Sequence, residues 1–282
     1  MKIPARIKPL VEDGLVDEVI RPLMSGKEAD VFIVRCGGEI RCAKVYKEAD
    51  KRGFKQATQY QEGRKVRNSR RARALEKGSR FGRKEQEQLW QNTEVEALFR
   101  LARAGVRVPR PYGCFDGVLL MELICDEEGL EAPRLNDVTM SAVQAMEDHK
   151  LMMRYVVRML CAGLVHGDLS EFNVLVDDDG PVIIDLPQVV NAAANNHAKR
   201  LLARDIIKIT SYYGLYAPEI LKTRYAGEIW ALYEAGELHP EVALTGAHDA
   251  IELDPDVDAV LEEIKQAMFE QQQRLARLQE QV

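Results

Sequence analysis

The sequence predicts an α+β fold, strand-rich in its first half and helical in its second. Two observations carry this reading. Between Val19 and Glu122, short β-branched and apolar runs alternate with turn signals, whereas from Met140 onward apolar residues recur at helical spacing over stretches too long for strands. A third observation marks the chemistry. The stretch Leu164 to Pro187 interrupts the helical half with a hairpin and carries Asp168, Asn173 and Asp185.

Residues 1 to 16 hold two prolines and mixed charge without a clear period, and read as an N-terminal extension. Val19 to Met24, Asp30 to Cys36 and Arg41 to Tyr46 read as three strands, the last two joined at Gly37-Gly38, a two-residue hairpin turn. The first two flank Ser25-Gly26-Lys27-Glu28-Ala29. A glycine in a strand-turn-strand lets backbone approach phosphates closely, and Ser25 and Lys27 add a hydroxyl and a cation. It is not a Walker loop, because the G-x-x-x-x-G-K spacing and a following helix are absent. In the third strand Lys44 stands between apolar neighbours, as an exposed strand lysine or as a cation for nucleotide phosphates. Its partner would come from a helix over Glu85 to Ala104, where Glu94 and Glu96 are the candidates. Tyr112 to Phe115 and Val118 to Glu122 form a second hairpin across Asp116-Gly117. Met121, Glu122 and Ile124 then lead into acidic loop residues, a hinge whose backbone and apolar side chains suit an adenine or simply a core.

The helical half reads as Met140 to Gly163, His197 to Tyr213, Ala217 to Ala235 and Asp256 to Leu278. The hairpin inside it pairs Val174 to Val176 with Val182 to Ile184, and Asp177 to Asp179 are turn residues. Asp168 lies five positions before Asn173, and the second strand ends by presenting Asp185. Phosphoryl transfer needs such a set: one carboxylate to accept a hydroxyl proton, with an amide oxygen and a second carboxylate to hold Mg²⁺ against phosphates.

Composition bounds the rest. With 282 residues, 46% of them hydrophobic and 30% charged, the chain can bury a normal core as one large domain or two lobes. No leader pattern and no run of eighteen apolar residues is present, so the expected location is the cytoplasm. Five cysteines scattered through apolar segments without C-x-x-C spacing predict buried thiols in a reducing compartment. The net charge of −6 hides an asymmetry: from Lys44 to Lys84 there are 15 Lys or Arg against 4 Asp or Glu. The basic insertion 47–84 reads either as a solvated segment or as a contact surface for RNA, a ribosomal particle or an acidic protein. Its few aromatics, Phe54, Tyr60 and Phe81, argue against base-specific readout.

Taken together, these motifs resemble the RIO family of atypical serine/threonine protein kinases, over about Val19 to Tyr213. The resemblance rests on Ser25-Gly26-Lys27-Glu28-Ala29, on Ala43-Lys44-Val45-Tyr46-Lys47, and on Trp90 with Glu94 before Gly105-Val106-Arg107-Val108-Pro109. It also rests on Met121-Glu122-Leu123-Ile124, His166-Gly167-Asp168-Leu169-Ser170-Glu171-Phe172-Asn173, and Ile183-Ile184-Asp185 with Gln188-Val189-Val190. It implies a two-lobed protein-kinase-like fold, with an N-lobe over 1–124 and a C-lobe over 125–282. It implies ATP and Mg²⁺, with Mn²⁺ as an alternative ion. Asp168 would be the catalytic base, Asn173 and Asp185 the metal ligands, Lys44 the phosphate-binding lysine and Glu94 its ion-pair partner. Ser25 and Lys27 would line the phosphates, and Met121, Glu122 and Ile124 the adenine. Asp185 would also be placed to accept a phosphate transiently, which opens a slow ATPase cycle.

The sequence departs from ordinary protein kinases at Gly167, where they carry the arginine of H-R-D, and at Leu186-Pro187, where they carry Phe-Gly. Pro187 restricts the backbone where a D-F-G flip would act, and there is no A-P-E motif. Too few residues precede the phosphate loop for the winged-helix domain of one RIO branch. Two rival readings share the motifs: a small-molecule phosphotransferase of the aminoglycoside or choline type, and a nucleotide-gated factor that docks on RNA or a ribosomal particle.

Overall fold

The computed structural model describes residues 3–26, 29–47 and 93–247. They fall into two compact units. The first draws on Met1–Arg103, Val108–Ala132 and Ile184–Val189, the second on Ala104–Arg107, Pro133–Ile183 and Val190–Val282. Lys27, Trp90, nearly all of the basic insertion 47–84 and the predicted helix from Asp256 lie outside the described residues.

The first unit is an antiparallel sheet of five strands, β1 (Glu18–Ser25), β2 (Ala29–Cys36), β3 (Glu39–Tyr46), β4 (Pro111–Phe115) and β5 (Val118–Glu122), in the order β1-β2-β3-β5-β4. The turn between β2 and β3 has both glycines at positive φ, Gly37 at 59° and Gly38 at 85°, which only residues without a Cβ adopt freely. Residues 1 to 16 are more than an extension. Pro9 opens a short helix α1 (Lys8–Glu12), and Ile7, Leu10 and Val16 are buried with Val34, Ala43, Val45, Val118 and Leu120 in one apolar cluster. The Ile7/Leu10 spacing is helical, but a helix this short offers no second period to read. A second helix, α2, runs over 93–103, with Glu94, Ala97, Leu98 and Leu101 buried along one side.

The second unit is mainly helical. Helices α3 (Ala142–Cys161), α4 (Ala198–Tyr213) and α5 (Tyr225–Ala235) pack on one another. Ser141 caps α3, its hydroxyl accepting the Gln144 N–H at 3.1 Å. Met152, Met153, Leu160, Leu201 and Tyr213 are among its most deeply buried side chains. The predicted helix Ala217 to Ala235 is broken in two: a 3-10 turn covers Pro218–Lys222, Thr223 is extended, and α5 starts afresh at Tyr225. Arg224 spends its N–H on the Gly246 carbonyl at 2.8 Å, outside any helical ladder. Two small ribbons complete the unit. β6 (Leu164–Val165) pairs with β9 (Val190–Asn191), and β7 (Val174–Asp177) with β8 (Gly180–Ile183). Arg107 fastens the β7–β8 turn through ion pairs to Asp177 and Asp179.

The expectation of buried thiols holds for Cys36 and Cys42 only: Cys125 is intermediate, and Cys114 and Cys161 are exposed. Among the described residues no helix is long and apolar enough to cross a membrane.

Candidate active site

In the first unit the site is built on β3. Strand alternation sends Ala43 and Val45 into the apolar cluster and turns Lys44 and Tyr46 to the opposite face. There α2 supplies Glu94. The Lys44 Nζ lies 2.6 Å from Glu94 Oε1 and 3.0 Å from Asp185 Oδ1, and the Tyr46 hydroxyl donates to Glu94 Oε2. Glu96, the other candidate from sequence, is exposed. Burial alone would push the Lys44 pKa down, but the Glu94 and Asp185 carboxylates outweigh it and raise it above the ordinary lysine value. Burial and the adjacent Glu94 likewise push the Tyr46 phenol up, so it stays a hydrogen-bond donor. A Lys–Glu pair this deep is held by a satisfied network, since leaving either partner alone would strand a buried charge.

Asp185 sits in the left-handed region at φ 65°, a conformation Asp tolerates better than most residues. It is followed by Leu186, fully buried, and Pro187. Its side chain keeps 47% exposure while touching Lys44, so one carboxylate reaches both a cation and solvent.

At the turn from β1 into β2 the Ser25 hydroxyl donates to Asp30 Oδ1 at 2.5 Å, and Lys47 reaches Asp30 Oδ1, the Gly26 carbonyl and Ser25 Oγ at 2.9, 2.6 and 3.1 Å. Burial would raise the Asp30 pKa, yet the Ser25 hydrogen bond and the Lys47 cation carry it below its ordinary value. Lys47, the first residue assigned to the basic insertion, thus ties Ser25 and Gly26 to Asp30. Of the adenine candidates, Met121 is half-buried and Glu122 exposed, with Oε2 accepting the Arg110 N–H at 3.0 Å. Ile124 is buried, and its carbonyl accepts the Ala132 N–H at 3.0 Å.

In the second unit Asp168 is presented by a backbone clamp from α4. The Asp205 carboxylate accepts the N–H of Gly167 at 2.7 Å and of Leu169 at 3.1 Å, on either side of Asp168, while the Arg204 guanidinium donates to the Gly167 carbonyl. Gly167 stands at φ 83°, a conformation that explains glycine rather than arginine at this position. The Asp168 N–H donates to His166 Nδ1 at 3.2 Å, and its carbonyl accepts Asn173 Nδ2 at 2.8 Å. With the Asn173 nitrogen so engaged, its oxygen is the atom left to serve as a hard ligand. Asp205 is buried, and burial pushes its pKa up to about 6 against the opposing charges of His166 and Arg204 and the two N–H donors. Lys208, one turn beyond Arg204, brings its Nζ to 3.3 Å from Asp168 Oδ1.

Sequence reasoning gave no role to Tyr46, Asp30, Arg204, Asp205 and Lys208. Asp205 carried a signal nevertheless: it falls in the apolar stripe of α4 between Leu201 and Ile209, where an unpartnered carboxylate would be costly. Among the described residues no group of three or more His, Cys, Asp or Glu side chains is set to hold a metal by itself.

A family model described as the RIO domain matches residues 30–226. The RIO-type serine/threonine-protein kinase Rio1 of Haloferax volcanii is 34% identical over 211 residues, covering 74% of this chain and 68% of that protein. The human serine/threonine-protein kinase RIO1 is 30% identical over 213 residues, 75% of this chain but only 36% of that protein. The match therefore spans little more than a third of the human relative. The crystal structure of the Rio2 kinase-ADP/Mg²⁺-phosphoaspartate complex from Chaetomium thermophilum aligns with TM-score 0.58 at 20% identity, over 93% of this chain and 75% of that one. At that identity the likeness is one of fold: the protein-kinase-like α+β class.

Proposed function

The chain belongs to the RIO family, and from that premise we propose that it is an ATP- and Mg²⁺-dependent kinase, moving the γ-phosphate to a serine or threonine hydroxyl of a protein, itself included. The observation that carries the reading is the charge chain Glu94–Lys44–Asp185, a buried cation held between two carboxylates, one of which stays half-exposed. Lys44 neutralises charge on the nucleotide phosphates and Glu94, braced by Tyr46, keeps it aimed. Asp168 takes the proton of the acceptor hydroxyl, its backbone fixed by Asp205 and Arg204. Ser25 and Lys27 line the phosphates, and the segment Met121 to Ile124 takes the adenine.

The oxygen donors of Asp185 and Asn173 fit Mg²⁺, which is commonly bound through one or two carboxylates plus phosphates rather than by a full protein cage. Held by these two side chains, such an ion would supply positive charge to offset that of the nucleotide phosphates. In this reading 1–124 carries the phosphate-binding segment, the basic insertion and the helix with Glu94, and 125–282 carries the catalytic segment around Asp168 and the metal ligands Asn173 and Asp185.

One relative's structure carries a phosphoaspartate, and the half-exposed Asp185 supports a second outcome for this chain: phosphate accepted on that carboxylate and released to water, a slow ATPase. Transfer from γ-labelled ATP in wild type, Asp168→Ala and Asp185→Ala tests both. Acid-stable label on Ser or Thr, lost in both variants, is the result expected of a protein kinase. Free phosphate with base-labile label, absent from Asp185→Ala, marks the ATPase. Undiminished transfer in Asp168→Ala refutes the proposal. The positive segment 47–84 suits an RNA or ribosomal particle, and such binding would weaken steeply with salt.

A further inference from the structure

Lys208 belongs to none of the motifs and takes no part in the reading above. The loop from His166 to Asn173 contains no Lys or Arg of its own, and α4 brings one to it. The Lys208 side chain keeps 28% of its exposure and that of Asp168 40%, so the two heads meet 3.3 Å apart at the surface while the backbone beside them is clamped.

We propose that Lys208 is a second catalytic residue, contacting an oxygen of the phosphoryl group as it is transferred. The proposal rests on the reading of Asp168 as the base. An acceptor oxygen bonded to Asp168 lies about 3 Å from its carboxylate, and the attacked phosphorus about 3–3.5 Å further on. An ammonium 3.3 Å from the same carboxylate spends one of its three N–H donors there and has two more for the region where negative charge gathers. In the step, the acceptor oxygen bonds to the γ-phosphorus and its proton passes to Asp168. The bond from that phosphorus to the β-bridging oxygen breaks, and ADP departs. Lys208 keeps its proton throughout and supplies charge that strengthens as the transition state forms. A partly exposed ion pair contributes little to stability, so losing Lys208 should be felt in turnover rather than in folding.

The test uses the full chain and compares wild type, Lys208→Met, Lys208→Arg and Asp168→Asn by kcat, KM for ATP and thermal midpoint. Lys208→Met is expected to lose about 100-fold in kcat, the scale seen when one preorganised donor to transition-state charge is removed. KM should stay within about threefold and the midpoint nearly unchanged, because the contact is made in the transition state. Lys208→Arg should recover most of the rate. A kcat for Lys208→Met within about twofold of wild type, with Asp168→Asn inactive, overturns the role of Lys208 and leaves the kinase reading standing. A loss of rate matched by an equal loss of thermal stability and not recovered by arginine overturns it too, in favour of a structural role. Full activity in Asp168→Asn refutes the kinase assignment itself.

Discussion

Replacing Asp205 by Asn should alter how stability varies with pH, beyond lowering it. In the folded chain this carboxyl is 1% exposed, and its pKa is raised from the ordinary 3.8 to about 6. Between those values the native state holds a proton that the unfolded chain has released, so stability contributed by this group is complete below about pH 4 and is lost as pH rises through 6. The difference between 3.8 and about 6 corresponds to about 3 kcal/mol. Asn cannot titrate. It also turns an NH₂ toward one of the two N–H groups of Gly167 and Leu169, which adds a pH-independent cost of about 1–3 kcal/mol. Urea unfolding of both proteins from about pH 4 to 7.5 should therefore find wild type furthest ahead at the acid end, its advantage shrinking by about 3 kcal/mol toward neutrality. A constant difference would refute the burial-dominated account. A difference that grows with pH would mean the N–H donors and the charges of His166 and Arg204 outweigh burial.

His149 should show the opposite slope: buried, within 3.0 Å of the Thr210 hydroxyl, its pKa is lowered from 6.5 to about 4. The unfolded chain takes up the proton first, so wild type should lose about 3 kcal/mol as pH falls from about 6.5 to 4, a loss absent from His149→Gln in the same unfolding series. At the charge chain, Lys44→Met should destabilise by about 3–5 kcal/mol because Glu94 is left buried without its cation. The double variant Lys44→Met/Glu94→Gln should melt above the single one, and additive losses in a double-mutant cycle would contradict this. Gly167→Ala must hold φ near 83° with a Cβ, at about 1–2 kcal/mol. A drop in kcat larger than the drop in stability would show that the Asp168 backbone had shifted, and unchanged kcat would argue against the clamp.

The sheet was legible because its strands are short, β-branched and separated by Gly-Gly and Asp-Gly turns, signals that act over a few residues. Five predicted strands correspond to β1 through β5 within a residue or two at each end. The local spacing from Asp168 to Asn173 could be read for the same reason. The clamp could not: Asp205 lies 38 positions from Gly167, and nothing in α4 shows which backbone it faces. Lys208 and Asp168 are 40 positions apart, a contact that comes from how α4 is placed. Likewise the continuous apolar pattern of Ala217 to Ala235 hid its interruption, because Arg224 is drawn out by a carbonyl from a distant loop.

The short helix before β1 gives the lysine strand two masters. On one side of β3, Ala43 and Val45 rest on a plug formed by Ile7, Leu10 and Val16, and Arg6 grips the Tyr46 carbonyl at 2.9 Å. On the other, Lys44 and Tyr46 hold Glu94. A change in the first sixteen residues therefore acts on a strand whose other face holds the Lys44–Glu94 pair. Because Ile7, Leu10 and Val16 are almost fully buried, trimming or repacking that end of the chain would cost stability and loosen the strand that carries Lys44 in one stroke.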